Sequence, residues 1–540
     1  MPESSAHADS FARDHLPPPE RLPLLDLSGT PETAAYPGRM NCATELIDRQ
    51  AERFGARPAY HFGDQTWSYA ELLDKANRVA QVLAEDLGVV PGNRVMLRSA
   101  NNPTYAACWL ALQKVGAVAV ATMPLLRRRE LTYIADKARV AIALCDHRLA
   151  EELEETKARS AELETIVYWG GGGPGSLEAL MAGKSGDFEN LDTAADDVAL
   201  IAFTSGTTGQ PKGCMHCHRD ILAICDTFSR YVLRPDEGDV FAGSPPLAFT
   251  FGLGANLAFP MHAGAATVLF EQFTPQSLME TIARHRVSVL FTAPTGYRAM
   301  TDLVPDHDLS SLKKCVSAGE TLPAATYLAW ERATGIKIID GLGSTEMLHI
   351  FIACAGDDIH PGATGKAIPG YEARVLDDQG EPLGPGEIGR LAVRGPTGCR
   401  YLDDAERQAA YVQGGWNLTG DAYLVDEEGY FWYQARTDDM IISAGYNIAG
   451  PEIEAVLLEH PKVLECAVVG APDPERGQIV KAFVVLRHQG DANEATAAEL
   501  QDFVKAEIAP YKYPRAIAFR DALPKTQSGK LQRFRLRESG

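Results

Sequence analysis

Between Phe203 and Gly213 the chain reads FTSGTTGQPKG, directly after the apolar run VALIA. Two glycines permit a tight loop, successive backbone N–H groups there converge on an anion, and four hydroxyls (Thr204, Ser205, Thr207, Thr208) with Lys212 add further donors. That is the composition of a phosphate cradle. It is not a Walker A loop, because Gly206 and Lys212 do not fit GxxxxGK[ST]. A second pattern, Cys214-Met215-His216-Cys217-His218, matches the CxxCH form of covalent haem attachment. Its place behind the phosphate loop explains it better, and with no second ligand pair nearby neither haem nor zinc is expected. From Lys512 to Gly540 eight basic residues stand against two acidic ones. Charge alone leaves open a solvated tail or a local site for an anionic ligand.

Such a loop needs a strand behind it and a scaffold around it. From about Asn41 to Val198, helical patterns (ATELIDRQAERFG, YAELLDKANRVAQVLAEDLG) alternate with β-branched runs such as NRVMLRS, which predicts an α/β domain with largely parallel sheets. SVLFTAP and IKIIDGLG, ending at Pro294 and Gly343, continue that pattern as strands. After Gly370 the Gly-punctuated alternation of EARVLDD, GEIGRLAVRG and GYFWYQAR predicts antiparallel β. The last hundred or so residues predict a compact α+β module, with Pro451 opening the helix PEIEAVLLEH and the strands ECAVVG and IVKAFVVL preceding the helix TAAELQDFVKAEI. The Pro-rich, polar residues 1–40 predict an extended arm on the first domain. The expected division is a large N-terminal domain, residues 1–436, and a small C-terminal domain, residues 437–540.

At 540 residues the chain is too long for one simple core. Its net charge of −21 argues against nucleic acid and anionic membrane as partners. The start, MPESSAHADSFARDHLPPPE, has no apolar segment behind a basic one, and the ten cysteines lack framework spacing, so a reducing, cytoplasmic setting is expected. Between Asp239 and Glu271 no residue is charged apart from His262, a span long enough for a membrane helix. Pro245, Pro246, Pro260 and Gly243, Gly252, Gly254 and Gly264 interrupt it, which predicts buried strands and loops instead.

With its TSGTTGxPKG loop the chain resembles the adenylate-forming superfamily of acyl-CoA synthetases, luciferases and nonribosomal-peptide adenylation domains. Further family motifs follow in the family's order: SAGETLP (Ser317 to Pro323), GLGSTE (Gly341 to Glu346), WNLTGD (Trp416 to Asp421), ARTDDMI (Ala435 to Ile441) and PKTQSGK (Pro524 to Lys530). The resemblance implies ATP and coenzyme A as substrates and Mg2+ as activating ion. It implies that Thr204, Ser205, Gly206, Thr207, Thr208 and Lys212 handle the triphosphate. Gly319, Glu320 and the run Gly341, Leu342, Gly343, Ser344 and Thr345 would frame the nucleotide, and Glu346 would hold the metal with a hydroxyl such as Thr207. Asp421 would accept hydrogen bonds from both ribose hydroxyls, a role for an acceptor-only side chain, with Arg436 beside it. Lys530 would bridge the substrate carboxylate and the α-phosphate, completing a catalytic set with Glu346 and Thr204. Asp438 would be the hinge of a mobile C-terminal domain that presents Ser443, Gly445 and Tyr446 to coenzyme A.

A narrower resemblance, carried by GLGSTEMLHIF (Gly341 to Phe351) and YNIAGPEIE, is to the benzoate-CoA and 2-aminobenzoate-CoA ligase branch, and the arm DSFARDHLPPPERLP is most similar to the 2-aminobenzoate group. Phe249, Phe251, Gly343, Met347 and His349 fall where that branch lines its acyl pocket, a setting for a flat ring. Three positions depart from the superfamily pattern: Phe249 stands where many members have histidine, Leu342 replaces a frequent tyrosine, and Ile442 takes a position that is lysine in some relatives. Fatty acids and acetate become poor candidates, and any role of that second lysine does not transfer. The implied function is an ATP-dependent aryl-CoA ligase of aromatic acid degradation, acting as monomer or homodimer on 2-aminobenzoate, with benzoate or another small acid as the alternative. Rival readings are an adenylating enzyme that serves a carrier protein, and a nonenzymatic ATP-binding or carrier-interaction module.

Overall fold

The run VALIA is buried at every residue and forms the strand Val198–Thr204, covered on both faces as a near-continuous apolar run requires. It is the fifth of six strands, in the order Thr165–Trp169, Ile142–Asp146, Arg94–Arg98, Val118–Thr122, Val198–Thr204, Lys212–Cys217. All neighbours are parallel except the last two, which form an antiparallel hairpin. The computed structural model describes residues 4–204, 211–436, 439–443, 446–473, 477–508, 512–525 and 531–538. Helix Tyr69–Gln81 starts at a reciprocal capping box between Ser68 and Glu71 and buries Leu72, Ala76, Val79 and Ala80. It packs on helix Pro103–Lys114, which is buried almost all round and lies against the strands Arg94–Arg98 and Val118–Thr122.

A nine-stranded sheet carries the second α/β unit. Its parallel centre runs Ile338–Gly343, Lys314–Ala318, Val289–Thr292, Val240–Gly243, Ala266–Leu269, Pro58–Phe62. Antiparallel strands close both edges, Ile350–Ala353 and Lys366–Ala367 at one and Gln65–Ser68 at the other. The Gly-punctuated region folds as an antiparallel sheet of Glu372–Leu376, Gly389–Arg394, Trp416–Val425, Val412–Gln413 and Phe431–Arg436. Sheet membership changes between Arg436 and Ile441. The last sheet, Tyr446–Ile448, Ile441–Ser443, Gly477–Leu486, Val463–Asp473 and Ala516–Phe519, shares a separate apolar core with helices Gly450–Glu459 and Glu494–Glu507. The result is a mixed α/β protein with α/β units, a β-rich unit and an α+β unit.

The N-terminal arm is pinned along its length. Ser5 Oγ donates to Asp197 at 2.5 Å, Asp9 pairs with Arg94, and the backbone of Leu24 and Asp26 bonds to Gly415 and Gly395 on the β-rich unit. The uncharged span differs from the strands-and-loops expectation. It holds the strand Val240–Gly243 and then three successive helical segments, Thr250–Leu253, Gly254–Ala258 and Phe259–Ala263, ended by Gly264 at φ +72°. Gly264 makes that turn, while Gly252 serves close approach: a Cβ there would lie 1.9 Å from the Pro246 carbonyl oxygen. Among the described residues no helix is long and apolar enough to cross a membrane.

Candidate active site

Strand ends deliver most of the site. Thr204 and Lys212 are the closing pair of the loop hairpin. Ser205, Gly206, Thr207 and Thr208 between them lie outside the described residues, as do Asp438, Gly445, Lys530 and the side chain of Tyr446. Lys212 Nζ stands 5.5 Å from the centre of the Tyr401 ring, and the Tyr401 hydroxyl donates to Glu346 Oε1 at 2.6 Å. The structure therefore brings together the expected triphosphate lysine and the expected metal carboxylate, through a tyrosine that the sequence did not single out.

Glu346 is presented by a tight turn. Strand Ile338–Gly343 ends in Gly341-Leu342-Gly343, where a Cβ on Gly341 would meet the Ile350 side chain at 2.5 Å and one on Gly343 the His349 backbone at 2.8 Å. The chain then turns back on itself: Met347 N donates to Ser344 Oγ at 3.2 Å and Leu348 N to the Thr345 carbonyl at 3.1 Å. Leu348 sits at φ +69°, a strained setting for a branched side chain. Gly319 follows Ala318, the strand partner of Gly341, and has φ +90° with open space beside it; half-buried Glu320 comes next. On the far wall Asp421 pairs with Arg436 across two strands, and Arg436 Nη1 donates to Asp421 Oδ1 at 2.9 Å. Burial raises the Asp421 carboxyl and Arg436 offsets that only in part. An acceptor fixed in this way suits vicinal hydroxyls.

Asp340 escaped the sequence reading. Its Oδ1 is buried with no hydrogen-bond partner among the described residues, and burial pushes the carboxyl up to about 8. The Gly341 backbone N–H serves the carboxyl, and one oxygen is left to accept a further donor. The available signal was an acidic residue inside an otherwise apolar strand, directly before Gly-Leu-Gly.

The residues assigned to the acid divide. Half-buried Phe251 packs on Phe291 and on His349, with ring centres 5.8 and 5.7 Å apart. His349 is buried, also touches Phe228 and Phe259, and, with the Phe251 backbone as a polar neighbour, has a ring nitrogen without a partner among the described residues. Burial holds its pKa down to about 3, so the ring is neutral. Met347 is fully buried in the main core, and its carbonyl accepts from Thr397 Oγ1 at 2.8 Å. Phe249 immediately precedes the first helical segment and joins no ring pair among the described residues. Ser443 is buried in the C-terminal sheet opposite Gly477, and among the described residues it makes no hydrogen bond to the Glu346 cluster.

The CxxCH residues have internal occupations. His216 Nε2 lies 2.7 Å from the Thr345 carbonyl, Cys214 packs against Tyr401 and Cys399, and Cys217 caps helix His218–Ile224 through its N–H to Asp220 at 2.9 Å. A magnesium ion fits Glu346 on the chemistry of the donor. Tyr401 occupies Oε1, Oε2 makes no hydrogen bond among the described residues, and Mg2+ on a nucleotide takes one or two carboxylates with phosphate and water oxygens. No cluster of three or more histidine, cysteine or acidic ligands exists among the described residues, so an all-protein cage is not what these residues offer.

Comparison with known proteins agrees with this geometry. Residues 47–400 match the model of the AMP-binding enzyme family and residues 452–530 that of the AMP-binding enzyme C-terminal domain. The chain is 38% identical to the benzoate–CoA ligase of Thauera aromatica, over 96% of this chain and 99% of that protein. Its fold superposes with a TM-score of 0.90 on the crystal structure of the anthranilate CoA ligase AuaEII in complex with anthranoyl-AMP, at 36% identity over 94% of this chain and 98% of that one. A benzoate CoA ligase from Burkholderia xenovorans LB400 superposes with a TM-score of 0.84 at 31% identity, over 92% and 100% of the two chains.

Proposed function

The chain belongs to the AMP-binding enzyme family as an AMP-forming acid–CoA ligase of the benzoate-CoA ligase group, and from that premise we propose that it activates 2-aminobenzoate (anthranilate). The observation that carries the choice of acid is His349. A neutral imidazole set among Phe228, Phe251 and Phe259 beside Gly343, with the Phe251 backbone as its polar neighbour among the described residues, leaves a ring nitrogen for a partner that a bare phenyl ring cannot supply. An ortho amino group supplies one, since its N–H donates to a neutral ring nitrogen while the aromatic walls take the flat ring. The structural likeness to a protein solved with anthranoyl-AMP supports the same reading.

The chemistry follows from what a carboxylate lacks. Its carbon is electron-rich and oxide does not leave, so a thiol cannot displace it. In the proposed sequence a carboxylate oxygen attacks the α-phosphorus of ATP in line and pyrophosphate departs. Lys212 and the loop N–H groups carry the triphosphate charge, Asp421 holds the ribose, and Lys530 neutralises the oxygens at the reacting phosphorus. When bound at Glu346, Mg2+ neutralises charge on the phosphates. Coenzyme A then attacks the acyl carbon, AMP leaves, and residues 437–540 turn about Asp438 between the two steps, so that Ser443, Gly445 and Tyr446 meet the incoming thiol.

The test is purified protein with ATP, coenzyme A and a panel of aryl and alkyl acids, read by mass spectrometry. The expected order of kcat/KM is 2-aminobenzoate, then benzoate, then octanoate and longer acids. A long-chain acid in first place would overturn the pocket assignment, and benzoate ahead of 2-aminobenzoate would overturn the choice within it.

A further inference from the structure

Glu346 is held from two sides by one β-ribbon. The strand Lys212–Cys217, which returns from the phosphate loop, pairs with residues 400–402 through the Cys214–Tyr401 bridge, Met215 N to the Arg400 carbonyl at 2.8 Å and Leu402 N to the Gly213 carbonyl at 2.8 Å. From one strand His216 Nε2 reaches the Thr345 carbonyl at 2.7 Å. From the other the Tyr401 hydroxyl reaches Glu346 Oε1 at 2.6 Å. We propose that Tyr401 is a positioning residue for the metal step: its hydroxyl ties down Oε1 of Glu346 so that Oε2 is turned to a divalent cation on the nucleotide, in register with Lys212.

Three observations support it. Tyr401 is rigid, being 1% exposed with its backbone N–H bonded to Gln408 Oε1 at 2.9 Å, while Gln408 in turn bonds the Cys399 and Arg21 carbonyls at 3.1 and 2.9 Å. Its hydroxyl donates to a carboxylate oxygen at 2.6 Å, a charge-assisted bond that holds the Glu346 side chain to one orientation. Its ring lies under Lys212 Nζ, so one side chain fixes the spacing between the lysine for the triphosphate and the carboxylate for the metal. A carboxylate with one oxygen already bonded loses less freedom when the other binds a cation. His216 secures the adjacent peptide, with Asp220 on its other ring nitrogen at 3.8 Å and the Asp220–Arg400 ion pair at 2.6 Å behind it.

This inference rests on Glu346 being the metal carboxylate, and the experiment separates the two claims. ATP binding is measured by isothermal titration without acid or coenzyme A, once with EDTA and once with excess Mg2+, and the ratio of the two dissociation constants is the metal preference. Glu346→Gln should remove most of that preference. Tyr401→Phe should cut it by about tenfold, the scale of one hydrogen bond to a charged group, with binding in EDTA little altered, and it should have no further effect in the Glu346→Gln background. Tyr401→His, whose shorter ring leaves Glu346 unreached, reads the same quantity if the phenylalanine variant does not fold. A merely structural tyrosine would lower the melting temperature and leave the ratio alone. The proposal falls if the Tyr401 variants keep the parental ratio while Glu346→Gln loses it; if Glu346→Gln keeps it as well, the metal-carboxylate reading falls too.

Discussion

At the scale of single residues, burial sets charge states that titration can read. His349 is held at about 3 against an ordinary 6.5, and buried His218 likewise. Their folded pKa values lie below the unfolded ones, so the neutral form contributes stability that is complete above pH 6.5 and is lost as pH falls toward 3. One such imidazole costs about 2 kcal/mol at pH 5. Replacing His349 with phenylalanine removes one of these groups, and the variant should lose less of its urea midpoint than the parent between about pH 7 and pH 5; equal losses would show that the ring is not protected from protons. Asp421, proposed above to hold the ribose, is the counterpart. Asp421→Ala deletes a charged acceptor, and the KM for ATP should rise by about tenfold or more while that for the acid moves less. Steady-state kinetics with each substrate varied in turn will show whether the effect is confined to ATP.

At the scale of elements, the uncharged helical segments from Thr250 to Ala263 form the wall that carries Phe251 and packs under His349. Their glycines are spacers: a Cβ on Gly254 would fall 2.5 Å from the His349 ring, and one on Gly252 would strike the Pro246 carbonyl. A ring can move and a backbone carbonyl cannot. Gly252→Ala should therefore destabilise the fold by about 1–3 kcal/mol, seen as a lower thermal midpoint, whereas Gly254→Ala should mainly shift His349 and alter the choice of acid. Equal thermal losses in both would contradict this division. These segments also mark where sequence was least informative. Strands such as Val198–Thr204 and Gly389–Arg394 were legible from apolar runs and from alternation between glycines, but a helix apolar on every side has no face for periodicity to reveal. The residues expected at the nucleotide could be named because each lies in a short local motif. Tyr401 could not, because its partner Glu346 is 55 positions away in the chain and only the fold brings them together. The Met347 assignment came from the resemblance of GLGSTEMLHIF to the aryl-CoA ligase branch, and no local pattern indicated that the fold buries its side chain fully.

At the scale of the whole molecule, the question is how one site serves two reactions. Residues 526–530, which end in Lys530, are bracketed by described contacts: Lys525 bridges Leu531, and Gln532 N donates to the Pro524 carbonyl at 2.9 Å. The next residue, Arg533, gives two 2.7 Å bonds to Glu454 on helix Gly450–Glu459, and Glu454 Oε1 also accepts Val468 N at 2.7 Å. Tyr433, on the last strand of the β-rich sheet, lies close enough to feel the Arg533 charge. The residues on either side of 526–530 are thus tied to the C-terminal unit. If Lys530 acts only at adenylation, Lys530→Ala removes a charge present at that transition state alone, a loss on the order of 10²–10³ in rate. Pyrophosphate release should collapse, while thioester formation from supplied aryl-adenylate stays near the parental rate. Arg533→Ala should follow the same pattern more weakly, since it loosens one flank of residues 526–530 and leaves the lysine in place. Gly445→Trp should do the opposite, with an indole crowding the thiol's approach while acid-dependent pyrophosphate release continues. Rapid-quench measurement of the two half-reactions decides the matter: if Lys530→Ala and Gly445→Trp depress both to the same degree, one fixed arrangement serves both steps and the C-terminal unit does not turn.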